Sequence, residues 1–510
     1  MMKNKLIIGI LALIVIACGL FFAFKALMKA GGEEVIVYEN KVVETIDAQL
    51  KDLPMDSIRA KHALIMEKSI DDIQSSIKKG ELTYTELTAF YLDRIKSLDK
   101  ATKGINSVVE INPNAIALAK KMDAEKPSVS SPMYGIPVLL KDNINTKDMP
   151  TSGGTFALKG FTPSANAAMV NTLISNNAII LGKANLSELA NFFDIGMPSG
   201  YSSKLGQTHN PFDPLRISPQ GSSSGSGAAV AANFCSVAIG TETTGSIVAP
   251  ANAQSLVGFK PTKGLVSTEG VLPLSSTMDV VGPMAKNVKD AIYLLNASIE
   301  DTSKHITITY SANDLTGKRI GVLKTTGSEK IVEALKKAGA IPVELPLDFN
   351  PDSVTIIYQD FKNDFAAYAE KCNAPIKSLP ELVEYNKKDL DRRAKYGQGL
   401  LEEAAKMEKF DREKVNKIVQ ETQAYIKKIY EEHKLDAVVF ANNEASSVPC
   451  IAGYPEITVP FGASENKEPF GATFFSLKND DEKLANIAYA FEQSTNLRLI
   501  PEKYKEVIAK

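Results

Sequence analysis

Short apolar runs alternate with helical patterns along most of this chain, and that alternation constrains the fold more than any other feature. Residues 136–140 and 178–181 are apolar runs of strand length bounded by turn residues, whereas residues 67–98 have the apolar spacing of two helices. Strands that alternate with helices form a sheet whose faces the helices cover. We therefore expect an α/β fold.

The later part of the chain has a different pattern. Residues 319–323 and 341–345 are expected strands, and residues 400–434, rich in lysine, glutamate and alanine, predict one or two long solvated helices. A buried strand is expected again at residues 436–440. We interpret residues 300–440 as a lid or peripheral layer on the main sheet.

Charge and composition exclude several classes of function. The formal net charge of −2 lacks the basic excess of a nucleic-acid-binding protein. The four histidines lie far apart in sequence, and the four cysteines form no C-x-x-C pair. We therefore predict no metal site, no cofactor and no nucleic-acid partner, and no disulfide framework.

The N-terminal residues 6–24 are uniformly apolar and uncharged. About 20 such residues span a bilayer core, and Lys3 and Lys5 add the positive flank of a signal sequence. We expect a hydrophobic helix that acts as an uncleaved signal anchor; the alternatives are a cleaved signal peptide and lipidation at Cys18. Each predicts a membrane-anchored or secreted protein whose catalytic domain lies outside the cytoplasm.

A run of glycine and serine, PQGSSSGSGAA, occupies residues 219–229. Flexible linkers have this composition, but the small apolar residues 228–232 favour a helix, so the run is expected to open a buried helix. The N-terminus of a helix presents free N–H groups to an anion. The run lacks the lysine of a phosphate-binding P-loop, which argues against nucleotide binding.

A second stretch, GTETTGSI at residues 240–247, follows the apolar run 237–239 and is expected at the turn after a strand. Such a turn exposes consecutive backbone N–H groups beside Ser246. An oxyanion hole, which stabilises the negative oxygen formed during acyl transfer, needs donors arranged in this way.

These two stretches and the KDN segment at residues 141–143 resemble the motifs of the amidase-signature hydrolases, which are KDN, GGSSGGS and GTDTGGSI. Ser222 and Ser246 are 246 − 222 = 24 residues apart, which matches the family. Four further motifs follow the family's order: LGKANLSE at 181–188, GFKPT at 258–262, GPMA at 282–285 and GYPEITVP at 453–460. The resemblance covers roughly residues 65–495.

The resemblance implies the amidase-signature fold, with a large mixed, twisted sheet covered by α-helices on both faces. It also implies that the protein hydrolyses carboxamide bonds through a Ser-Ser-Lys triad. In that triad Ser246 is the nucleophile, Ser222 relays its proton, and Lys141 is the base.

The same resemblance identifies the groups that bind the substrate. The backbone N–H groups expected to form the oxyanion hole belong to Thr243, Thr244, Gly245 and Ser246. Ser223 is expected beside the relay and the substrate, and the peptide bond between Gly221 and Ser222 is expected to be cis.

A lysine acts as a base only when it is neutral, and its ordinary pKa of about 10.4 keeps it charged at neutral pH. Burial lowers a lysine pKa, and the apolar residues 136–140 before Lys141 are consistent with burial. No histidine falls within these motifs, which excludes a Ser-His-Asp triad built on them.

Several positions depart from the family pattern. Gln220, Ser224 and Thr244 stand where glycine is usual, Glu242 replaces the commoner aspartate, and Val248 occupies a position often held by arginine. The variant motifs resemble the peptide-amidase branch, which removes the C-terminal amide of peptides. The expected substrates are therefore peptide amides or other small amides.

Three other functions stay open. The glutamine-hydrolysing component of a tRNA-dependent amidotransferase would need a cytosolic partner, and the apolar N-terminus counts against it. A lipid-amide hydrolase would need apolar surface on residues 300–440, which are heavily charged. A binding protein with a dead site would be expected to lack relay residues that this chain retains.

We predict a signal or membrane anchor in residues 1–30 and a tether with an N-terminal arm in residues 31–64. The amidase domain is predicted to span residues 65–500 and to contain the variable segment 300–440. Nothing in the sequence indicates an oligomeric state.

Overall fold

A computed structural model describes residues 35–125 and 131–505 of the chain. Its strands are β1 (Val108–Ile111), β2 (Pro137–Lys141), β3 (Ile179–Ala184), β4 (Tyr201–Ser202), β5 (Gly206–Gln207), β6 (Val237–Glu242), β7 (Val257–Lys260), β8 (Val280–Ala285), β9 (Arg319–Leu323), β10 (Ile341–Leu345), β11 (Ala437–Ala441), β12 (Glu456–Ala463) and β13 (Pro469–Phe475). All but β4 and β5, which pair with each other, belong to one sheet.

This sheet has eleven strands in the order β1-β3-β2-β6-β8-β7-β12-β13-β11-β9-β10. Strand β2 runs parallel to β3 and β6, and β9 runs parallel to β10 and β11. The remaining neighbours are antiparallel. The expected large mixed sheet is therefore confirmed.

The α-helices pack around this sheet. They are α1 (Val42–Leu50), α2 (Met55–Ala60), α3 (Ile70–Lys78), α4 (Tyr84–Arg94), α5 (Ala115–Ala124), α6 (Ala168–Ser175), α7 (Ser224–Ala231), α8 (Val248–Ala253), α9 (Val288–Ser298), α10 (Ser328–Lys337), α11 (Ser353–Lys371), α12 (Leu379–Lys387), α13 (Leu390–Arg393), α14 (Gly399–Ala405), α15 (Arg412–His433), α16 (Ser447–Ala452) and α17 (Asp481–Thr495).

Both faces of the sheet are buried, because alternate residues of one strand contribute to different apolar clusters. In β11, Val439 packs in the main core, whereas Val438 and Phe440 pack in a second cluster with Ile426 of α15. Every residue of β2, β3, β6, β7, β8 and β11 is buried. Strands that are covered on both sides read as continuous apolar runs, as those strands do here.

Local signals in the sequence set the ends of several elements. Thr83 accepts a hydrogen bond from the backbone of Glu86 and Glu86 returns one, which forms the expected capping box at the start of α4. The Gly/Ser run leads directly into α7, which is wholly buried. Among the described residues, the strands expected at 319–323 and 341–345 coincide with β9 and β10, and the strand expected at 136–140 is shifted by one residue.

Residues 300–440 contribute to the sheet as well as to the layer above it. Strands β9 and β10 extend the main sheet at one edge, where we expected only a layer packed on it. Helices α11, α12 and α14 form a separate apolar cluster with Phe192 and Phe193. The apolar side chains of β9 explain the difference, because Ile320 and Val322 pack in the main core.

No described helix is long and apolar enough to cross a membrane. The hydrophobic helix expected at residues 6–24 lies outside the described residues, and so does Cys18. The anchor and its alternatives therefore stay predictions.

Candidate active site

Two parallel neighbouring strands, β2 and β6, bring the candidate residues together. Leu140 pairs with Ile239, so both strands end at the same edge of the sheet. Lys141 is the last residue of β2, and Glu242 is the last of β6. Ligands bind at the carboxyl ends of parallel strands in many α/β proteins, because loops of different strands converge there.

Lys141 is fully buried and its ammonium nitrogen contacts three oxygens. Nζ lies 2.7 Å from Ser222 Oγ, 2.9 Å from Thr241 Oγ1 and 3.0 Å from the carbonyl of Thr241. Asn143 Nδ2 also donates to Thr241 Oγ1 at 3.0 Å. The lysine is thus aimed at a serine hydroxyl and held there by uncharged partners.

Burial lowers the pKa of Lys141 to about 7, although the carboxylates of Asp279 and Glu242 favour its charged form. At that pKa, a large share of the molecules carries a neutral amine at neutral pH. The amine then has a lone pair that can accept a proton from Ser222. The expected loss of charge on burial is therefore supported by the environment of this lysine.

Three consecutive serines, all of them fully buried, lie where the loop before α7 meets that helix: Ser222 and Ser223 are in the loop and Ser224 is the first residue of the helix. The Gly221–Ser222 peptide bond is cis, as the resemblance implied. Ser223 Oγ donates to the Thr241 carbonyl at 3.1 Å and accepts from the Thr241 N–H at 3.2 Å. Ser224 Oγ donates to the carbonyl of Gln220 at 2.5 Å. Among these serines, the contact with Lys141 belongs to Ser222.

Residues 243–248, which we call the Ser246 loop, lie next to the serine loop. The Ser223 N–H donates to the carbonyl of Ser246 at 3.1 Å, which ties the two loops together. Ser246 is 6% exposed, whereas Ser222 and Lys141 are completely enclosed. Of the three candidate catalytic side chains, the one predicted to attack is therefore the one that an outside molecule can reach.

The backbone of the Ser246 loop offers unused donors. Within the described chain, the N–H groups of Thr244, Gly245 and Ser246 donate to no other group. Gly245 has φ +76°, in the left-handed region that glycine adopts without steric cost. The next two N–H groups, those of Ile247 and Val248, donate to Glu242 Oε2 at 2.5 and 3.0 Å. This division leaves the donors nearest Ser246 available to an oxyanion.

Several contacts that support this loop involve residues that sequence reasoning missed. Thr243 Oγ1 donates to Asp279 Oδ1 at 2.6 Å. Glu242 Oε1 lies 3.1 Å from the sulfur of Cys450, which lies 3.0 Å from Glu456 Oε1. Glu456 belongs to a motif and Asp279 lies just before one, but only their burial beside polar partners marks them as parts of the site.

The described residues also form a cleft of about 970 Å³, whose lining includes no residue of the Ser246 loop and neither Ser222 nor Lys141. Asp279, which holds Thr243, is among its lining residues. The other lining residues include Lys263, Asp364, Tyr368 and Gln423, so residues of the 300–440 segment form part of its wall. Its size falls within the range of small-molecule sites, and its rim carries both acidic and basic groups.

Comparisons with known proteins show the family of this chain. The Amidase family model matches residues 86–446. An Arabidopsis thaliana protein described as a probable amidase is 35% identical over 474 residues, which cover 86% of this chain and 92% of that protein. A glutamyl-tRNA(Gln) amidotransferase component from Thermoanaerobacter pseudethanolicus is 30% identical over 487 residues, with 85% and 98% covered.

Solved structures give the same result. An amidase family protein from Bacillus anthracis superposes with a TM-score of 0.88 at 41% identity, covering 92% of this chain and all of that one. The native peptide amidase from Stenotrophomonas maltophilia superposes with a TM-score of 0.79 at 36% identity, with 87% and 99% covered. This chain therefore belongs to the amidase family and is an enzyme that hydrolyses amide bonds.

Proposed function

We propose that the protein removes the amide group from the C-terminus of peptides or from similar small carboxamides, with Ser246, Ser222 and Lys141 as its catalytic triad. The observation that carries the proposal is the 2.7 Å contact between the buried Lys141 Nζ and Ser222 Oγ. An uncharged lysine in that position supplies the base that a serine nucleophile needs.

In the proposed reaction, Ser246 Oγ attacks the amide carbon and its proton passes to Ser222 as the proton of Ser222 passes to Lys141. The carbonyl oxygen becomes an oxyanion, which the N–H groups of Thr243, Thr244, Gly245 and Ser246 stabilise. The C–N bond then breaks, and ammonia leaves with the proton returned through Ser222. Water attacks the acyl-serine by the same relay, and the carboxylic acid is released.

The substrate class rests on the cleft and on the relatives. The cleft of about 970 Å³ reaches the candidate site through Asp279, which holds Thr243, and its volume is in the range of small-molecule sites. One similar solved structure is described as peptide amidase in complex with the competitive inhibitor chymostatin; it is 36% identical to this chain. The variant motifs of the sequence point to the same branch.

Glutamine hydrolysis is the second candidate, because the glutamyl-tRNA(Gln) amidotransferase component from Thermoanaerobacter pseudethanolicus is 30% identical over 85% of this chain. In that case the chain would release ammonia from glutamine for a partner. Hydrolysis by the purified chain should therefore be compared across peptide amides, aryl amides, fatty amides and glutamine. A preference for glutamine would overturn the peptide-amide assignment.

The triad is tested with Ser246→Ala, which should abolish hydrolysis and covalent labelling by a fluorophosphonate probe. Ser303→Ala, which changes an exposed serine, is the matched control and should behave as the wild type. Full amidase activity in Ser246→Ala would show that another group attacks the substrate.

We also propose that residues 6–24 anchor the enzyme to a membrane with its catalytic domain outside the cytoplasm. The uniformly apolar composition of these residues supports this placement. Fractionation of cells that express the full chain should recover the enzyme with membranes, and deletion of residues 1–30 should release it. Recovery of the full chain in the cytosol would contradict the proposal.

A further inference from the structure

Glu242, Cys450 and Glu456 form a fully buried group behind the Ser246 loop. One polar atom of each lies within 4.8 Å of the others. The three residues come from β6, α16 and β12, so the group joins three parts of the chain. We call it the acid–thiol cluster.

The state of Glu242 follows from its hydrogen bonds. Its Oε2 accepts the N–H groups of Ile247 and Val248, the two residues that follow Ser246. These two donors stabilise negative charge on Glu242, whereas Glu456 accepts from no backbone N–H group within the described residues. Of the two carboxyl groups, Glu242 is therefore the one whose hydrogen bonds favour the carboxylate, and it holds the end of the Ser246 loop.

With the negative charge on Glu242, the two contacts of the Cys450 sulfur require a hydrogen-bond donor at Glu456. The Cys450 sulfur lies 3.1 Å from Glu242 Oε1 and 3.0 Å from Glu456 Oε1, but a thiol has a single hydrogen. When that hydrogen points to the Glu242 carboxylate, the sulfur needs a donor on its other side. A protonated Glu456 supplies one, whereas an ionised Glu456 would place a second negative oxygen there.

The surroundings of Glu456 also favour the neutral acid. Glu456 Oε2 is buried and has no hydrogen-bond partner within the described residues. Lys260 is the cation neighbouring Glu456. Its Nζ donates to the carbonyl of Tyr454 at 2.5 Å, and its positive charge also acts on the carboxyl group of Asp481. Burial, followed by the charge of Glu242, raises the pKa of Glu456 well above its ordinary value. Burial likewise raises the pKa of Cys450, so the thiol keeps its hydrogen.

We propose that Glu456 is a neutral carboxylic acid in the working enzyme and is a positioning residue: it donates through Cys450 to the Glu242 carboxylate, which holds the Ser246 loop in its reactive conformation. This inference rests on the proposed role of Ser246. The groups that face Glu456 are Glu242, Cys450 and Lys260. Loss of its proton at alkaline pH would set two carboxylates against each other and displace the loop.

The test compares Glu456→Gln with Glu456→Ala. The amide of glutamine donates a hydrogen bond at every pH, so Glu456→Gln should keep kcat within a few-fold of the wild type. Glu456→Ala removes the donor and should lower kcat by about 100-fold with little change in KM, since small displacements of reacting groups have costs of this size. Glu465→Gln, an exposed change of the same type, is the matched control.

The pH profile separates positioning from mere structural support. The wild type should lose kcat at alkaline pH as Glu456 ionises, and Glu456→Gln should lack that loss. A Glu456→Gln variant as impaired as Glu456→Ala, or one with an unchanged alkaline loss, would overturn the proposal.

A measurement without turnover keeps the proposal testable if Glu456→Ala fails to fold. The infrared difference spectrum of wild type minus Glu456→Gln at neutral pH should contain the C=O band of a carboxylic acid. Its absence overturns the proposal, as does a metal ion that purifies in stoichiometric amount with the wild type and is lost in Glu456→Gln. The same spectrum in a Ser246→Ala background separates failure of this inference from failure of the proposed triad.

Discussion

Two buried groups adjoin the Ser246 loop, and burial affects them in opposite ways. Lys141 is enclosed among serine and threonine oxygens, and burial drives it toward the neutral amine. Glu456 is enclosed beside another carboxyl group and a thiol, and burial drives it toward the neutral acid. Loss of charge gives Lys141 a lone pair, whereas it gives Glu456 a hydrogen.

This difference indicates how one physical effect, the cost of burying a charge, would produce the proposed base on one strand and the proposed hydrogen-bond donor on another. Which result follows depends on the chemical type of the residue and on what its partners offer. Lys141 contacts a hydroxyl that can give up a proton. Glu456 contacts the Cys450 sulfur, which in turn contacts the Glu242 carboxylate. A proton on Glu456 can therefore complete the hydrogen bonds that hold this group together.

The largest expected effect on activity comes from placing a permanent positive charge at position 141. Lys141→Arg places a guanidinium, which does not lose its proton in proteins, where a neutral base is needed. We expect kcat/KM to fall by about 10⁴-fold or more, the size seen when a triad base is lost. Lys147→Arg, which changes an exposed lysine, should have no effect. A loss smaller than about 10-fold in Lys141→Arg would mean that Lys141 is not the base.

Lys141 and Glu456 should also contribute to the free energy of unfolding, and their contributions should change with pH in opposite directions. The pKa of Lys141 is about 7 in the folded protein against 10.5 ordinarily, so the unfolded chain binds the extra proton between these values. The free energy of unfolding therefore gains about 1.4 kcal/mol per pH unit from Lys141 as pH rises through that range. Lys141→Met should remove this gain.

For Glu456 the sign is reversed, because its pKa is raised on folding and the folded protein binds the extra proton. Its contribution to the free energy of unfolding should fall as pH rises from about 4.5 toward the raised pKa. Glu456→Gln should lack this fall. Urea unfolding of both variants across roughly pH 5–10 measures the slopes, and curves that run parallel to the wild type would contradict the comparison.

A smaller effect is expected from the loop that both groups serve. Gly245→Ala forces a left-handed conformation on a residue with a Cβ, although that Cβ would meet Asn443 at 3.5 Å and Ser446 at 4.0 Å, which are ordinary contact distances. The strain should turn the adjacent N–H groups, and kcat should fall by about 100-fold with KM little changed.

Gly317→Ala is the matched control, since Gly317 has the same φ of +76° and open space around its Cβ position. Both variants should lose similar stability, but only Gly245→Ala should lose activity. Equal activity in the two would mean that the backbone of the Ser246 loop does not stabilise the oxyanion.

The smallest effect is expected at the thiol that links the two carboxyl groups. Cys450→Ser retains a donor and an acceptor, so kcat should stay within about 3-fold of the wild type. Cys450→Ala breaks the link and should lower kcat by about 10-fold, the size of one hydrogen bond. Steady-state measurement of kcat for Cys450→Ser and Cys450→Ala tests this prediction. A more active Cys450→Ala would show that the thiol carries no hydrogen bond of consequence.

Much of the fold and of the candidate site followed from local patterns. The apolar run before Lys141 predicted β2, and the glycine and serine run predicted the start of α7, because short-range periodicity and turn residues decide such elements. The motif spacing also separated Ser222 from Ser223 and Ser224. The structure places only the first of these serines against Lys141.

Other features could not be read from the sequence. The extension of the sheet by β9 and β10 depends on the pairing of β9 with β11, which follows only after several intervening helices. Asp279 and Glu456 looked like ordinary charged residues within or near motifs. Cys450 contacts Glu242 across 208 residues of sequence, and no local rule connects them.

The sequence by itself determined which residues are the candidates for the chemistry: the KDN lysine and the serines at their 24-residue spacing, with the apolar strands that lead to them. Only the tertiary structure decided the protonation states of those residues and of their supports. A pKa depends on how much water is excluded and which charges lie nearby, and both are set by strands and helices distant in sequence. In our proposal, Lys141 acts as a base and Glu456 as an acid because the fold encloses each of them with different partners.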